Sequence, residues 1–197
     1  TKRKKELEKL EEKISNRQVN DGIDVDYVND LLKCAILSRE LEYPYVETEK
    51  RFVLALNFAE KHGLPQQIFE INYQLGWTSF YWFENPDKMY EQYQRLKQLT
   101  IEDINPVRVE RLFTFYSLTT IAVNLSLFTS KNPSIEEESN YWEDLYNRLS
   151  LDTEHKISFL YLKIFRLESQ LLLDIRNDKS AIDTIKELSQ CFDEAQN

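Results

Sequence analysis

The chain of 197 residues is 42% hydrophobic and 30% charged, a balance that supports one sizeable core or one curved array and excludes general disorder. Three Gly and five Pro leave little material for β-hairpins or phosphate-cradling loops. The net charge is −9 although Lys2, Arg3, Lys4 and Lys5 are all basic, so the body of the chain repels phosphate and nucleic acid is excluded except through a short basic arm.

The first residues are charged and no apolar stretch follows them, so no signal peptide is expected. Thr1 in place of Met, and an ending at Asn197 with no stop signal, point to a piece of a longer polypeptide. Residues 1–20 are expected to form an N-terminal capping or linker helix, over 3–18, with residues 21–197 forming a helical repeat domain. Lys2 with Glu6 and Lys4 with Glu8 are four apart, which supports a solvated helix face. Leu7, Leu10 and Ile14 form a narrow seam that either packs on the end of the array or joins a second copy as a short coiled coil, so a homodimer is one option.

Further helices are expected over 25–42, 47–62, 65–84, 86–99, 106–130, 134–149, 153–176 and 178–195. Proline is tolerated in a first helical turn and disfavoured inside, and Pro44, Pro65, Pro86 and Pro106 recur about every 20 residues as helix starts. Asn85-Pro86, Asn105-Pro106 and Asn132-Pro133 place an N-cap residue before the ring, and Ser134 with Glu137 has capping-box spacing. Gly63 sits where a C′ glycine belongs. Short connections between such helices make neighbours antiparallel, so the fold class expected is all-α, an antiparallel α-hairpin array.

The helix over 65–84 carries two apolar stripes. Ile68, Ile71, Leu75 and Trp82 form one, assigned to the core; Phe69, Tyr73, Trp77, Phe80 and Tyr81 form the second. Burial against a hairpin mate and a neighbouring hairpin accounts for most of these rings. Leu112 to Ser130 lacks charge over the length of a bilayer span, but its Thr, Ser and Asn content makes it a buried soluble helix rather than a membrane segment.

Alternate helices share an apolar triplet with intervals of four and three residues: Phe52-Leu56-Ala59, Met89-Tyr93-Leu96, a divergent Glu138-Trp142-Leu145 and Ala181-Ile185-Leu188. Leu75-Gly76 on one helix, the turn at Asn85-Pro86-Asp87 and then Met89, Tyr93 and Leu96 resemble one unit of the tetratricopeptide repeat family, and the stretch from Ala55 to Pro65 resembles the second helix and exit turn of the unit before it. Asn72, Ser79 and Met89 depart from the family's Trp, Tyr and Ala, and the match covers 47–99 best. The resemblance implies a right-handed superhelix whose concave face holds a protein or peptide. On that geometry Tyr73, Trp77 and Tyr81 face the groove, with Glu70 and Gln74 reading a bound chain.

No catalytic residue, cofactor site or metal site is expected. Nucleophile-elbow, P-loop and His-Glu-x-x-His patterns are absent, and His62 and His155 sit at helix ends. Glu136, Glu137 and Glu138 read as a solvated first turn. Cys34 and Cys191 stand alone, consistent with reduced thiols in a cytoplasmic protein. The functional expectation is a non-catalytic protein- or peptide-binding domain, the sensor or scaffold part of a larger cytosolic signalling or regulatory protein. The alternatives are a signal-peptide-responsive transcriptional regulator whose DNA-binding part lies elsewhere, and an enzyme with an unrecognised site.

Overall fold

The computed structural model describes residues 2–16, 25–62, 64–176 and 181–196, and among them every regular element is helical. The helices are α1 (Lys2–Ser15), α2 (Val25–Glu40), α3 (Tyr45–Lys61), α4 (Pro65–Tyr81), α5 (Pro86–Glu102), α6 (Pro106–Asn124), α7 (Ile135–Ser150), α8 (Lys156–Arg176) and α9 (Ile182–Gln196). The all-α expectation holds. Gly63 lies outside the described residues. The chain divides into two compact units, Thr1–Leu99 with Leu127–Ser130, and Thr100–Ser126 with Lys131–Asn197.

The starts of α5, α6 and α7 fall within a residue of expectation, where side-chain oxygens occupy them. Asn85 Oδ1 accepts from the Lys88 N–H at 3.0 Å and Asn105 Oδ1 from the Arg108 N–H at 3.1 Å. Asn132 does not cap α7 as expected; Ser134 does, its hydroxyl accepting from the Glu137 N–H at 3.2 Å. Helices α2, α4 and α6 end earlier than expected, whereas α5 runs three residues further, to Glu102. Glu42, Glu84 and Ser126 take left-handed φ values of 58°, 49° and 54°. After α2 the Tyr43 N–H reaches the Ser38 carbonyl at 3.0 Å and the Glu42 N–H reaches that of Arg39 at 3.0 Å, a Schellman closure with glutamate where glycine is usual. Such residues carry no glycine signal, which is why α2, α4 and α6 appear overlong in the sequence.

The first unit is centred on α2, α3 and α4, each packed on the other two. Val28, Leu31, Leu32 and Ala35 of α2 meet Phe52, Ala55, Leu56 and Ala59 of α3 and Ile71 and Leu75 of α4 in one buried cluster. Helix α1 packs on α2 through Leu7 and Leu10 against Cys34 and Leu37, which occupies the seam that a coiled coil would have needed. Its charges pair across the helices, Arg3 with Glu40 at 2.9 Å and Glu6 with Lys33 at 2.6 Å, so Glu6 is held by α2 rather than by Lys2. Helix α5 is tied to α3 by Arg95 with Glu60 and by Lys88 with Glu49 at 3.8 Å.

In the second unit α8 packs on α6, α7 and α9. The α6 helix stops at Asn124 rather than running to 130, and Leu125 and Leu127 are exposed, so the uncharged stretch is not one buried helix. No described helix is long and apolar enough to cross a membrane. Three of the four triplets are buried throughout, and the divergent one is no exception: Glu138 is 3% exposed, not solvated as its neighbours suggested, because it occupies the triplet's first core position above Trp142 and Leu145. The last triplet fails at Ile185, which is exposed.

Candidate functional site

Helix α4 divides its residues by the turn. Phe69, Ile71, Asn72, Leu75, Gly76, Thr78 and Ser79 are buried, and the small residues Gly76 and Ser79 take interior positions where a larger side chain would need room. Asn72 and Ser79 turn their polar atoms back onto the carbonyls of Ile68 and Leu75, at 2.6 and 2.8 Å. Leu75 is core, as its stripe requires. Trp82, assigned to the same stripe, is not: it ends the helix and is 43% exposed.

The five residues singled out as partner contacts lie in two adjoining rows. Glu70 and Gln74 form the polar row, with Gln74 Nε2 donating to Glu70 Oε1 at 3.0 Å. Tyr73, Trp77 and Tyr81 form the aromatic row, with ring centroids 6.1 Å apart for the first pair and 4.4 Å for the second. Tyr73 and Trp77 are half-buried, and Tyr81 is 49% exposed. The rings touch at tilts of 34° and 41°, with part of each surface still in water.

Sequence reasoning missed the residue that packs along the Gln74 side of this face. Arg39, from the last turn of α2, is 8% exposed. Its Nη1 donates to Gln74 Oε1 at 3.1 Å and to Thr78 Oγ1 at 2.9 Å, and its guanidinium lies 4.5 Å from the Trp82 ring centroid. Thr78 in turn donates to the Gln74 carbonyl at 2.6 Å. The buried Nε has no hydrogen-bond partner, and no described carboxylate forms an ion pair with this cation. Desolvation pulls its pKa below the ordinary value, an effect that Glu40 beside it opposes, yet arginine remains protonated. The negative end of the α2 dipole is its other compensation. One signal was legible: Val28, Leu31, Leu32 and Ala35 set a core stripe, and the next position on it is Arg39.

A larger cavity of about 390 Å³ lies between α1, α2 and α3, walled by Ile14, Leu31 and Leu54. Three of its four charged members pair, Arg51 reaching Glu11 at 2.6 Å and Glu47 at 3.2 Å, and Lys50 is the fourth. Cys34, on its wall, is buried, and burial pushes its thiol up to about 11, which leaves it unreactive at neutral pH. Among the described residues no cluster of His, Cys, Asp and Glu is arranged to hold a metal. His62 caps α3 on the surface, and His155 Nδ1 lies 2.8 Å from Asp152 Oδ2 ahead of α8. The α4 face thus joins a buried cation without an ion-pair partner among the described residues to a half-exposed aromatic row. Compared with known proteins, the chain matches no family model, no curated protein and no solved structure.

Proposed function

We propose that this chain is a non-catalytic protein- or peptide-binding domain, built as a tetratricopeptide-like array of α-hairpins wound into a right-handed superhelix, and that the α4 face carries the bound chain. On this reading it is the sensor or scaffold part of a larger cytosolic signalling or regulatory protein. The packing of α4 on both α3 and α2 supports the array, since successive first helices of such repeats lie side by side.

The observation that carries the proposal is Arg39. A guanidinium presents five N–H groups in a rigid fork suited to a carboxylate. Here it is stripped of water, oriented by Gln74, Thr78 and Trp82, and left without an anionic partner among the described residues. A carboxylate of the bound chain, from an acidic side chain or from its C-terminus, supplies the missing acceptor. Tyr73, Trp77 and Tyr81 alongside it supply rigid, amphipathic contact area at small entropic cost.

The test is capture from a peptide pool whose members occur with free or amidated C-termini, with and without Asp and Glu, on the immobilised chain. Carboxylate-bearing peptides are expected to enrich, the amidated arm deciding between the two sources. Arg39→Met is expected to weaken capture about tenfold or more. Capture that is indifferent to Arg39→Met, or no enrichment of any peptide, overturns the reading.

A further inference from the structure

The second unit holds a pocket that the array reading does not use. Helices α6 and α7 both pack on α8, and a cavity of about 270 Å³ opens where the three meet. Its inner wall is aromatic and aliphatic. Phe113 and Tyr116 come from α6, Trp142 and Tyr146 from α7, and Leu162 from α8. Phe113 meets Trp142 edge to face at 5.4 Å, lies 5.7 Å from the Tyr116 ring and stacks parallel on Phe165 at 4.3 Å, so three rings hold it in the wall. Tyr116 is fixed by the hydrogen bond between its hydroxyl and that of Ser139, 3.2 Å apart. A volume below the 300–1,000 Å³ usual for drug-sized ligands suits a single ring rather than an extended molecule.

The mouth of this pocket carries one charge of each sign. Arg166 Nη2 and Glu143 Oε1 are 3.4 Å apart, and the two side chains are 52% and 53% exposed. An ion pair so exposed contributes little and separates at small cost. The Arg166 guanidinium also lies 4.6 Å from the Tyr146 ring centroid, which fixes its plane while leaving its N–H edge available. A ligand with only a carboxylate would meet Arg166 but be opposed by Glu143; a ligand with only an ammonium would meet the reverse. A ligand with both charges on adjacent atoms replaces the one weak pair with two.

We propose that the α6–α7–α8 pocket binds a free aromatic α-amino acid, its ring laid against the wall that the mutually packed Phe113, Tyr116 and Trp142 form, its carboxylate on Arg166 and its ammonium on Glu143. Both charge contacts require groups on the same carbon, which a residue inside a peptide lacks. The pocket is lined by residues of the second unit alone.

The experiment is isothermal titration of the full chain with L-phenylalanine, N-acetyl-L-phenylalanine, L-phenylalanine amide and L-leucine. L-Phenylalanine is expected to bind with a Kd below about 1 mM, and the three others about tenfold more weakly or worse. Arg166→Gln should bring L-phenylalanine down to the level of its amide, and Glu143→Gln should bring it down to the level of the N-acetyl derivative. Both positions are half-exposed, so unchanged thermal melts verify that the variants are folded. The proposal is overturned by no heat with L-phenylalanine up to about 10 mM, by derivatives that bind as well as the parent amino acid, by L-leucine binding equally, or by either variant binding unchanged.

Discussion

Arg39 and Arg108 are buried to nearly the same depth, 8% and 6% exposed, and their surroundings differ in one respect that separates a binding group from a structural one. Arg108 lies in the first turn of α6, where the helix dipole disfavours a cation. It is answered locally: Nη2 reaches Asp103 Oδ2 at 3.1 Å and Nη1 donates to the Asp103 carbonyl at 3.3 Å. Arg39 lies in the last turn of α2, where the dipole favours it; its hydrogen bonds go to neutral acceptors, a ring lies against it, and Glu40 acts on its charge without forming an ion pair among the described residues. Helix polarity thus lets the chain keep one buried cation without a carboxylate. What the dipole does not supply is a hydrogen-bond acceptor for the Arg39 Nε–H.

The largest effect expected concerns the platform that aims Arg39. Leu75→Ala should cost about 2–5 kcal/mol, as a fully packed large-to-small core change, and should abolish peptide capture with it. Trp77→Ala, on the half-buried row, should lower stability less while weakening capture. Urea unfolding and capture on the same two variants make the check. If Trp77→Ala is as destabilising as Leu75→Ala, the outer row is core and the contrast between an open and a closed arginine has no functional meaning.

A smaller effect tests the two cations directly. Asp103→Ala removes the carboxylate that pairs with a buried guanidinium beside a helix N-terminus, and since Asp103 itself is well exposed, the loss should be about 1–2 kcal/mol rather than the 3–5 kcal/mol of a fully buried pair. Arg39→Met removes a desolvated charge that has no charged mate, so its stability should stay within about 0.5 kcal/mol of the parent or rise. A large loss at Arg39→Met, seen in the same urea titrations, would make Arg39 a structural residue like Arg108.

Much of the fold is legible in the sequence because the signals were local. Asn105 and Ser134 cap the helices they precede, and the triplets of α3 and α5 are buried as their spacing demands. The errors come from features with no local signal. A glutamate in the left-handed region after α2 looks like one more helical residue, and Glu138 in the core looks like its solvated neighbours. The α4 face was partly legible, since aromatic spacing brought Tyr73, Trp77 and Tyr81 into one row; Arg39 was not, because it reaches Gln74 and Thr78 from another helix, 35 and 39 residues away in sequence. The same holds for the aromatic pocket, which three helices assemble from residues unremarkable on each.

The smallest effect concerns a charge solvated as completely as Arg39 is incompletely. Asp87 receives the Thr129 N–H at 3.0 Å and its hydroxyl at 2.7 Å on one oxygen, and the Ser130 N–H at 3.1 Å with the Ser130 hydroxyl on the other. Four donors fill the acceptor sites of a carboxylate, so no capacity remains for a ligand. Desolvation alone would raise its pKa, but the Ser130 and Thr129 hydrogen bonds outweigh it and bring the value down to about 2. With the unfolded value near 3.9, Asp87 contributes stability that is present above about pH 4 and lost as pH falls toward 2. Solvent screening at this exposed position keeps that contribution below about 1 kcal/mol. Asp87→Asn should therefore lower stability slightly at neutral pH and flatten the acid limb of the stability curve between about pH 4 and 2, measured by urea unfolding across that range. An acid limb unchanged by the substitution would mean that the Thr129–Ser130 clasp is not held by charge, and that neutral donors alone do not stabilise an ion in this fold.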